Sequence, residues 1–203
     1  MSSVESIIWN KLGINKGDTL PLAGGNDICT WNYNATRTTL AEIMAEAGYK
    51  IGAEVGVERG AYSLVLLKTI PNLKLLCIDP WTPWGLNGAR KMRRVYQTAV
   101  ANLAGLNVEF ISKTSLEAAE DIPDGSLDFV YIDALHEFDN VMTDIITWVP
   151  KVRREGIVSG HDYVPYYQFG VIQAVNVYTR VHNIMNWYIV MGEREPSWFW
   201  VNI

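Results

Sequence analysis

From about residue 50 onward, short apolar runs alternate with amphipathic stretches, and this alternation narrows the fold more than any other feature. Runs at 50–57, 74–79, 107–111, 126–133 and 156–159 are rich in β-branched or aromatic residues and bounded by Gly, Pro or Asp, which predicts strands. Helical spacing over 62–69, 88–103, 115–120 and 138–149 fills the intervals, and Pro71, Pro123 and Pro150 fall where an element has to stop. Strands separated by helices pair in parallel, and a parallel sheet needs cover on both faces. The expected class is therefore α/β: a Rossmann-like, doubly wound, mostly parallel sheet. After a helix over 168–182 the character changes. "NWYIVMG" and "SWFWVNI", joined by Glu193-Arg194-Glu195-Pro196, read as an aromatic-rich hairpin, so that a seven-stranded sheet ends in an antiparallel pair.

Ahead of the alternation, residues 1–35 read as an N-terminal extension: an amphipathic piece over 4–12, then a loop carrying Gly17, Pro21, Gly24 and Gly25. The domain proper is expected over 36–203, opening with a helix at 38–48. With 49% apolar residues the chain is expected to fold, and its net charge of −5 argues against nucleic acid as a partner. The one basic run, Arg90-Lys91-Met92-Arg93-Arg94, reads as a solvated helix face, with an anion contact as the alternative. No apolar run approaches the roughly 20 residues that span a bilayer, and the N-terminus lacks the regions of a signal peptide. The expectation is a cytoplasmic protein with no membrane partner. Cys29 and Cys77 form no framework, and Cys77, inside Leu75-Leu76-Cys77-Ile78, reads as a reduced, buried thiol.

In open α/β sheets, ligands bind beyond the carboxyl ends of the strands. The first such end lies in "YKIGAEVGVERGAYSLVLLKTI". Gly56 and Gly60 permit a tight turn and close ligand approach, and the helix behind them presents free N–H groups. Those groups suit a phosphate, but the carboxylate of Glu54, two residues ahead of the turn, repels one. The acid favours a ligand with a positive group. Asp79 closes the second strand, where a carboxylate accepts hydrogen bonds from ribose hydroxyls.

At these residues the chain resembles the class I S-adenosylmethionine-dependent methyltransferases. Glu54-x-Gly56-x-x-x-Gly60 is similar to their first motif and Asp79 to the ribose-binding acid of their second, while Glu58 stands where many members carry a glycine. The terminal hairpin also matches that fold rather than a nicotinamide-binding Rossmann domain. "DFVYIDALHEFDNVMTDIITWVPKVRREGIVSGHDY" resembles a small branch containing sugar and natural-product O-methyltransferases. Its pattern is Ile-Asp-x-x-His, a helix with an Asp, a Trp-x-Pro-like end, then Gly-x-Ile-x-x-His-Asp-Tyr. The resemblance implies S-adenosylmethionine as cofactor, held by Glu54, Gly56, Gly60, Asp79, Pro80 and Asp133. Thr114 and Ser115 fall on its adenine side, behind Lys113 where the branch has glycine. It further implies a hydroxyl on a small molecule or sugar as acceptor, and a homo-oligomer is compatible with such a domain.

The residues themselves add a second centre. Asp133 and Asp162 end the fourth and fifth strands, and two carboxylates converging there suit a hard cation such as Mg²⁺. A hydroxyl on that ion becomes more acidic, and His136, a short turn past Asp133, is placed to take its proton. His161 and Asp139 are candidates for a third ligand. Structural alternatives remain at this point: a helix-capping role for Asp133, structural histidines at His136 and His161, and an internal hydrogen bond for Asp144. The aromatic stretch 79–85 reads as an adaptable cover over the cofactor, with a rigid packed loop as the alternative. Competing functions are a nicotinamide-dependent oxidoreductase and a catalytically inactive, cofactor-binding partner subunit.

Overall fold

The structure, a computed structural model, describes residues 3–14, 29–32, 34–83, 87–166 and 170–203, with the backbone only at 29–31. The elements run α1 (Ser3–Leu12), β1 (Cys29–Asn32), α2 (Arg37–Glu46), β2 (Ile51–Val55), α3 (Ala61–Thr69), β3 (Lys74–Ile78) and α4 (Ala89–Asn102). Then come β4 (Val108–Ile111), α5 (Ser115–Glu120), β5 (Leu127–Ile132), α6 (Phe138–Trp148), β6 (Val152–Gly160), α7 (Val171–Val181), β7 (Trp187–Val190) and β8 (Ser197–Val201). The strands form one sheet in the order β1-β7-β8-β6-β5-β2-β3-β4. All seven expected strands are present. Only β8 is reversed, lying antiparallel between β6 and β7. The sheet also gains an eighth strand, because β1 pairs in parallel with the outer edge of β7. Four residues, Cys-Thr-Trp-Asn, are too few to show a period in sequence.

The period of two along the central strands divides the interior into two layers. Leu75, Cys77, Phe129 and Tyr131 face helices α1 to α4, packing with Ile8, Leu40, Leu66 and Val95. Ala53, Val55, Leu76, Ile78, Val130 and Ile132 face α5 to α7, packing with Ala118, Ile145 and Val175. With both faces covered, β2, β3 and β5 read as largely apolar runs, as does the second half of β6 from Gly156. Trp148, Trp187, Trp198 and Trp200 are fully buried, and Trp198 stacks on Trp200 at 5.2 Å, so these tryptophans are core. Helix α1 joins the first layer through Val4, Ile8 and Leu12, and the Trp9 indole donates to the Tyr188 hydroxyl at 3.0 Å. Among the described residues, no helix is long and apolar enough to cross a membrane.

The chain runs from β2 out to β3 and β4, then returns to place β5 and β6 on the other side of β2. That reversal opens a crevice at the carboxyl ends of β2 and β5. The two ends are drawn together there: the Asp133 N–H donates to the Val55 carbonyl at 2.8 Å, and the Gly56 N–H donates to the Ile78 carbonyl at 2.8 Å. A Cβ on Gly56 would lie 1.9 Å from the Asp133 carbonyl oxygen, and its φ of 93° is one that side chains avoid. Close approach of two strand ends thus demands this glycine. Gly56→Ala should destabilise the fold by more than about 3 kcal/mol or prevent it, as clashes with backbone do. Gly88→Ala, where a Cβ meets nothing within 4 Å, should cost no more than about 1 kcal/mol in the same thermal melts, the loss expected of alanine at the N-cap of α4.

Candidate active site

The turn between β2 and α3 is built by Gly56, Glu58 and Gly60, all with positive φ: 93°, 49° and 74°. Glu58 thus holds a left-handed conformation that glycine adopts more readily, at a cost of roughly 1 kcal/mol. Asp79 offsets that cost. Its carboxylate accepts from the Glu58 N–H at 2.9 Å and from the Trp81 N–H at 2.7 Å. The Trp81 indole in turn donates to the Glu58 carbonyl at 2.9 Å, and its ring packs against Tyr96 at 4.8 Å and Phe110 at 6.0 Å. Trp81 is therefore a buried anchor rather than an adaptable cover, and the rigid packed reading holds for it. Trp84 and Gly85 lie outside the described residues. Pro80 is exposed beside Asp79.

Glu54 points into the first core layer and is 2% exposed. Its carboxylate accepts from the Ser63 hydroxyl, which itself accepts from the Cys77 thiol at 3.7 Å. Burial pushes its pKa from the ordinary 4.5 up to about 8, against the Ser63 hydrogen bond, which favours the charged form. The reading of Cys77 as a free, buried thiol stands, and burial raises its pKa to about 12.

Asp133, just past β5, and Asp162, just past β6, converge across the crevice with His136. Each offers a ligand atom within 4.8 Å of the others. The His136 Nε2 lies 2.9 Å from Asp162 Oδ2 and 3.4 Å from Asp133 Oδ1. His161 closes the other side, its Nδ1 3.5 Å from Asp162 and 3.6 Å from Asp133. Asp162 is aimed by a φ of 58°, which Asp tolerates better than most residues. Burial disfavours its charge, yet hydrogen bonds from both imidazoles hold its carboxyl well below the usual range. Burial likewise works against a charged His136, but its hydrogen bonds to Asp133 and Asp162 and their charges win, raising it to about 9. The Gly170 N–H donates to the His136 carbonyl at 2.7 Å, fixing the loop that carries the histidine. Asp139 is exposed on α6 and outside the cluster.

Thr114 and Ser115 sit at the start of α5, and both hydroxyls are engaged within the protein. Thr114 is the N-cap of a capping box with Glu117. Ser115 donates to Asp144 and accepts from the Trp148 indole at 2.8 Å, which ties α5 to α6. Asp144 is thereby an internal hydrogen-bond partner, with burial raising its pKa to about 6. His182 caps the end of α7 and stacks on Tyr178 at 4.2 Å. In the basic run, Met92 is buried while Arg90, Lys91, Arg93 and Arg94 are exposed, as expected of a solvated face. Sequence reasoning missed Tyr62 and Tyr131, buried in the first core layer, Ser63, which bonds Glu54, and Arg37, which lies over the Tyr62 ring. For Arg37 a signal existed: a cation in the first turn of a helix, where the dipole disfavours it.

Residues 53–163, more than half of the chain, match a family described as a methyltransferase domain, and the chain belongs to that family. Its sheet, with β8 reversed between β6 and β7, is the fold of class I methyltransferases. An O-methyltransferase from Bacillus cereus in complex with SAH shares it with a TM-score of 0.59 and 14% identity, covering 99% of this chain and 91% of that one. Cofactor-bound Rv0187 from MTB does so with a TM-score of 0.58 and 11% identity, over 100% of this chain and 90% of that one. An uncharacterized protein of Sinorhizobium fredii is 38% identical over 64 residues, which span 31% of this chain and 7% of that protein.

The buried Glu54 carries a stability consequence whose sign is fixed. In the unfolded chain the acid ionises near 4.5, but in the folded protein only near 8. Stability therefore falls as pH rises through that window, because the unfolded state gives up the proton first. Glu54→Gln removes the effect. The variant should match the parent below about pH 4.5 and melt progressively higher than it as pH approaches about 8. Parallel melting curves across that range would contradict the assignment.

Proposed function

We propose that this protein is an S-adenosylmethionine-dependent O-methyltransferase that acts on a hydroxyl of a small molecule or sugar, with a divalent cation such as Mg²⁺ held by Asp133 and Asp162. The convergence of Asp133, Asp162, His136 and His161 on the same crevice as the Gly56 turn carries this reading. The donor set fits a hard cation: two carboxylates from neighbouring strand ends, with the His161 imidazole in reach as a further ligand. When bound, the ion lowers the pKa of the acceptor hydroxyl and fixes its oxygen.

The remaining roles belong to the chain. Asp79 has lone pairs left for ribose hydroxyls after bonding Glu58 and Trp81. Gly56 and Gly60 leave room for the cofactor over the turn, Glu54 supplies negative potential beneath it, and Pro80 flanks Asp79. Thr114 and Ser115, with their hydroxyls engaged, contribute shape and backbone on the adenine side. With only imidazoles to balance them, Asp133 and Asp162 keep His136 protonated up to about pH 9, unable to act as a base at neutrality. Were Asp133 and Asp162 to hold a cation, His136 would lose the carboxylate partners that raise it, and its Nε2 would be the group placed to accept the hydroxyl proton. The acceptor oxygen attacks the methyl carbon in line with the departing sulfur, so holding the acceptor in place is the main catalytic task.

Turnover should stop in EDTA and return with Mg²⁺. Asp162→Asn should abolish turnover while leaving affinity for S-adenosylhomocysteine nearly intact. His136→Ala should cost about 10²–10⁴-fold in rate, the usual contribution of a general base. Full activity in EDTA would end the metal proposal.

A further inference from the structure

We propose that Arg37 anchors the carboxylate of the cofactor's amino-acid end, opposite Glu54, so that the pocket between them selects a zwitterion. This assignment rests on the reading of the crevice as an S-adenosylmethionine site.

Arg37 is misplaced for helix stability. It opens α2, whose first turn contains no acid, and the helix dipole disfavours a cation there. The N-terminus is already satisfied by the Thr36 capping box with Thr39. The guanidinium instead lies over the Tyr62 ring, 5.1 Å from its centroid, and the Tyr62 hydroxyl donates to the Arg37 carbonyl at 2.9 Å. Tyr62 packs against Tyr131 at 4.3 Å, and Tyr131 lies 6.3 Å from the His161 ring. Successive contacts thus link Arg37 through Tyr62 and Tyr131 to His161 at the carboxylate cluster. The residue after Tyr62 is Ser63, whose hydroxyl is bonded to Glu54.

The Arg37 charge works against the rise in the Glu54 pKa, yet among the described residues no ion pair joins the two. Glu54 bonds the Ser63 hydroxyl and is 2% exposed. Arg37 pairs with Glu193 on the loop between β7 and β8, at 3.4 Å with side chains 30% and 32% exposed. Such a pair contributes little in water, and it leaves donors of the five-donor guanidinium free. Nor is it needed to hold that loop. The Met191 N–H donates to the Asn32 carbonyl and the Gly192 N–H to the Ala35 carbonyl, each at 2.8 Å. An ammonium near Glu54 and a carboxylate on Arg37 are the two ends of an α-amino acid.

Calorimetry with S-adenosylhomocysteine and with 5′-methylthioadenosine, which shares the nucleoside and thioether but lacks the amino acid, isolates this contact. The parent should bind S-adenosylhomocysteine more tightly. R37Q should weaken S-adenosylhomocysteine at least tenfold and leave 5′-methylthioadenosine unchanged, while E193Q should bind S-adenosylhomocysteine as well as the parent or better. R37K keeps a charge for Glu193 but loses the two-pronged geometry. It should show a several-fold loss confined to S-adenosylhomocysteine, and decides the matter if R37Q does not fold. Equal losses for both ligands, or none for either, would overturn the assignment. A parent that binds neither ligand would instead overturn the cofactor reading, and this assignment with it.

Discussion

The architecture of the site depends on one close approach, where the end of β2 meets the end of β5 and no side chain intervenes. Gly56 is the residue that permits it, since a Cβ there would collide with the Asp133 carbonyl. That contact sets the Glu54–Gly60 turn and the Asp133–His136 segment side by side, two stretches separated by a long run of sequence. The β5–β6 pairing then delivers Asp162 and His161 to the same crevice, because His161 N–H bonds to the Ile132 carbonyl at 3.0 Å. Cofactor turn and acid cluster are thus held in register by backbone geometry alone.

Electrostatically, the crevice concentrates acids. Glu54 is buried with its pKa lifted to about 8, and Asp133 and Asp162 pair with imidazoles, that of His136 raised to about 9. Such groups cost stability, and they are arranged where a positively charged ligand end and a cation would relieve them. Arg37 adds the opposite charge at the rim. A Rossmann-like sheet with a pyrophosphate ligand calls for the reverse, a cradle of N–H groups without a carboxylate beneath it.

Much of this was legible in the sequence, for identifiable reasons. Strands buried on both faces read as apolar runs, and Asp79, Asp133 and Asp162 stand just past the ends of β3, β5 and β6. The Ile-Asp-x-x-His pattern places His136 a short turn from Asp133, and the structure brings both to Asp162. The edge strand β1 escaped notice because its pairing with β7 is long-range and its four residues carry no period. The packed state of Trp81 depends on Tyr96 and Phe110, which arrive from α4 and β4. Likewise, the engagement of Ser115 by Asp144 and Trp148 is a contact between helices that spacing along one helix does not encode. Arg37 left a local trace as a cation opening a helix, but its neighbours Tyr62 and Glu193 come from α3 and the β7–β8 loop.

The central claim is that an acid-lined glycine turn at this crevice serves an adenosyl amino acid rather than a dinucleotide. Titration calorimetry of the parent protein with S-adenosylhomocysteine and, separately, with NAD tests it directly. Saturable binding of S-adenosylhomocysteine with no heat from NAD is the predicted result, and saturable binding of NAD with none from S-adenosylhomocysteine would contradict it.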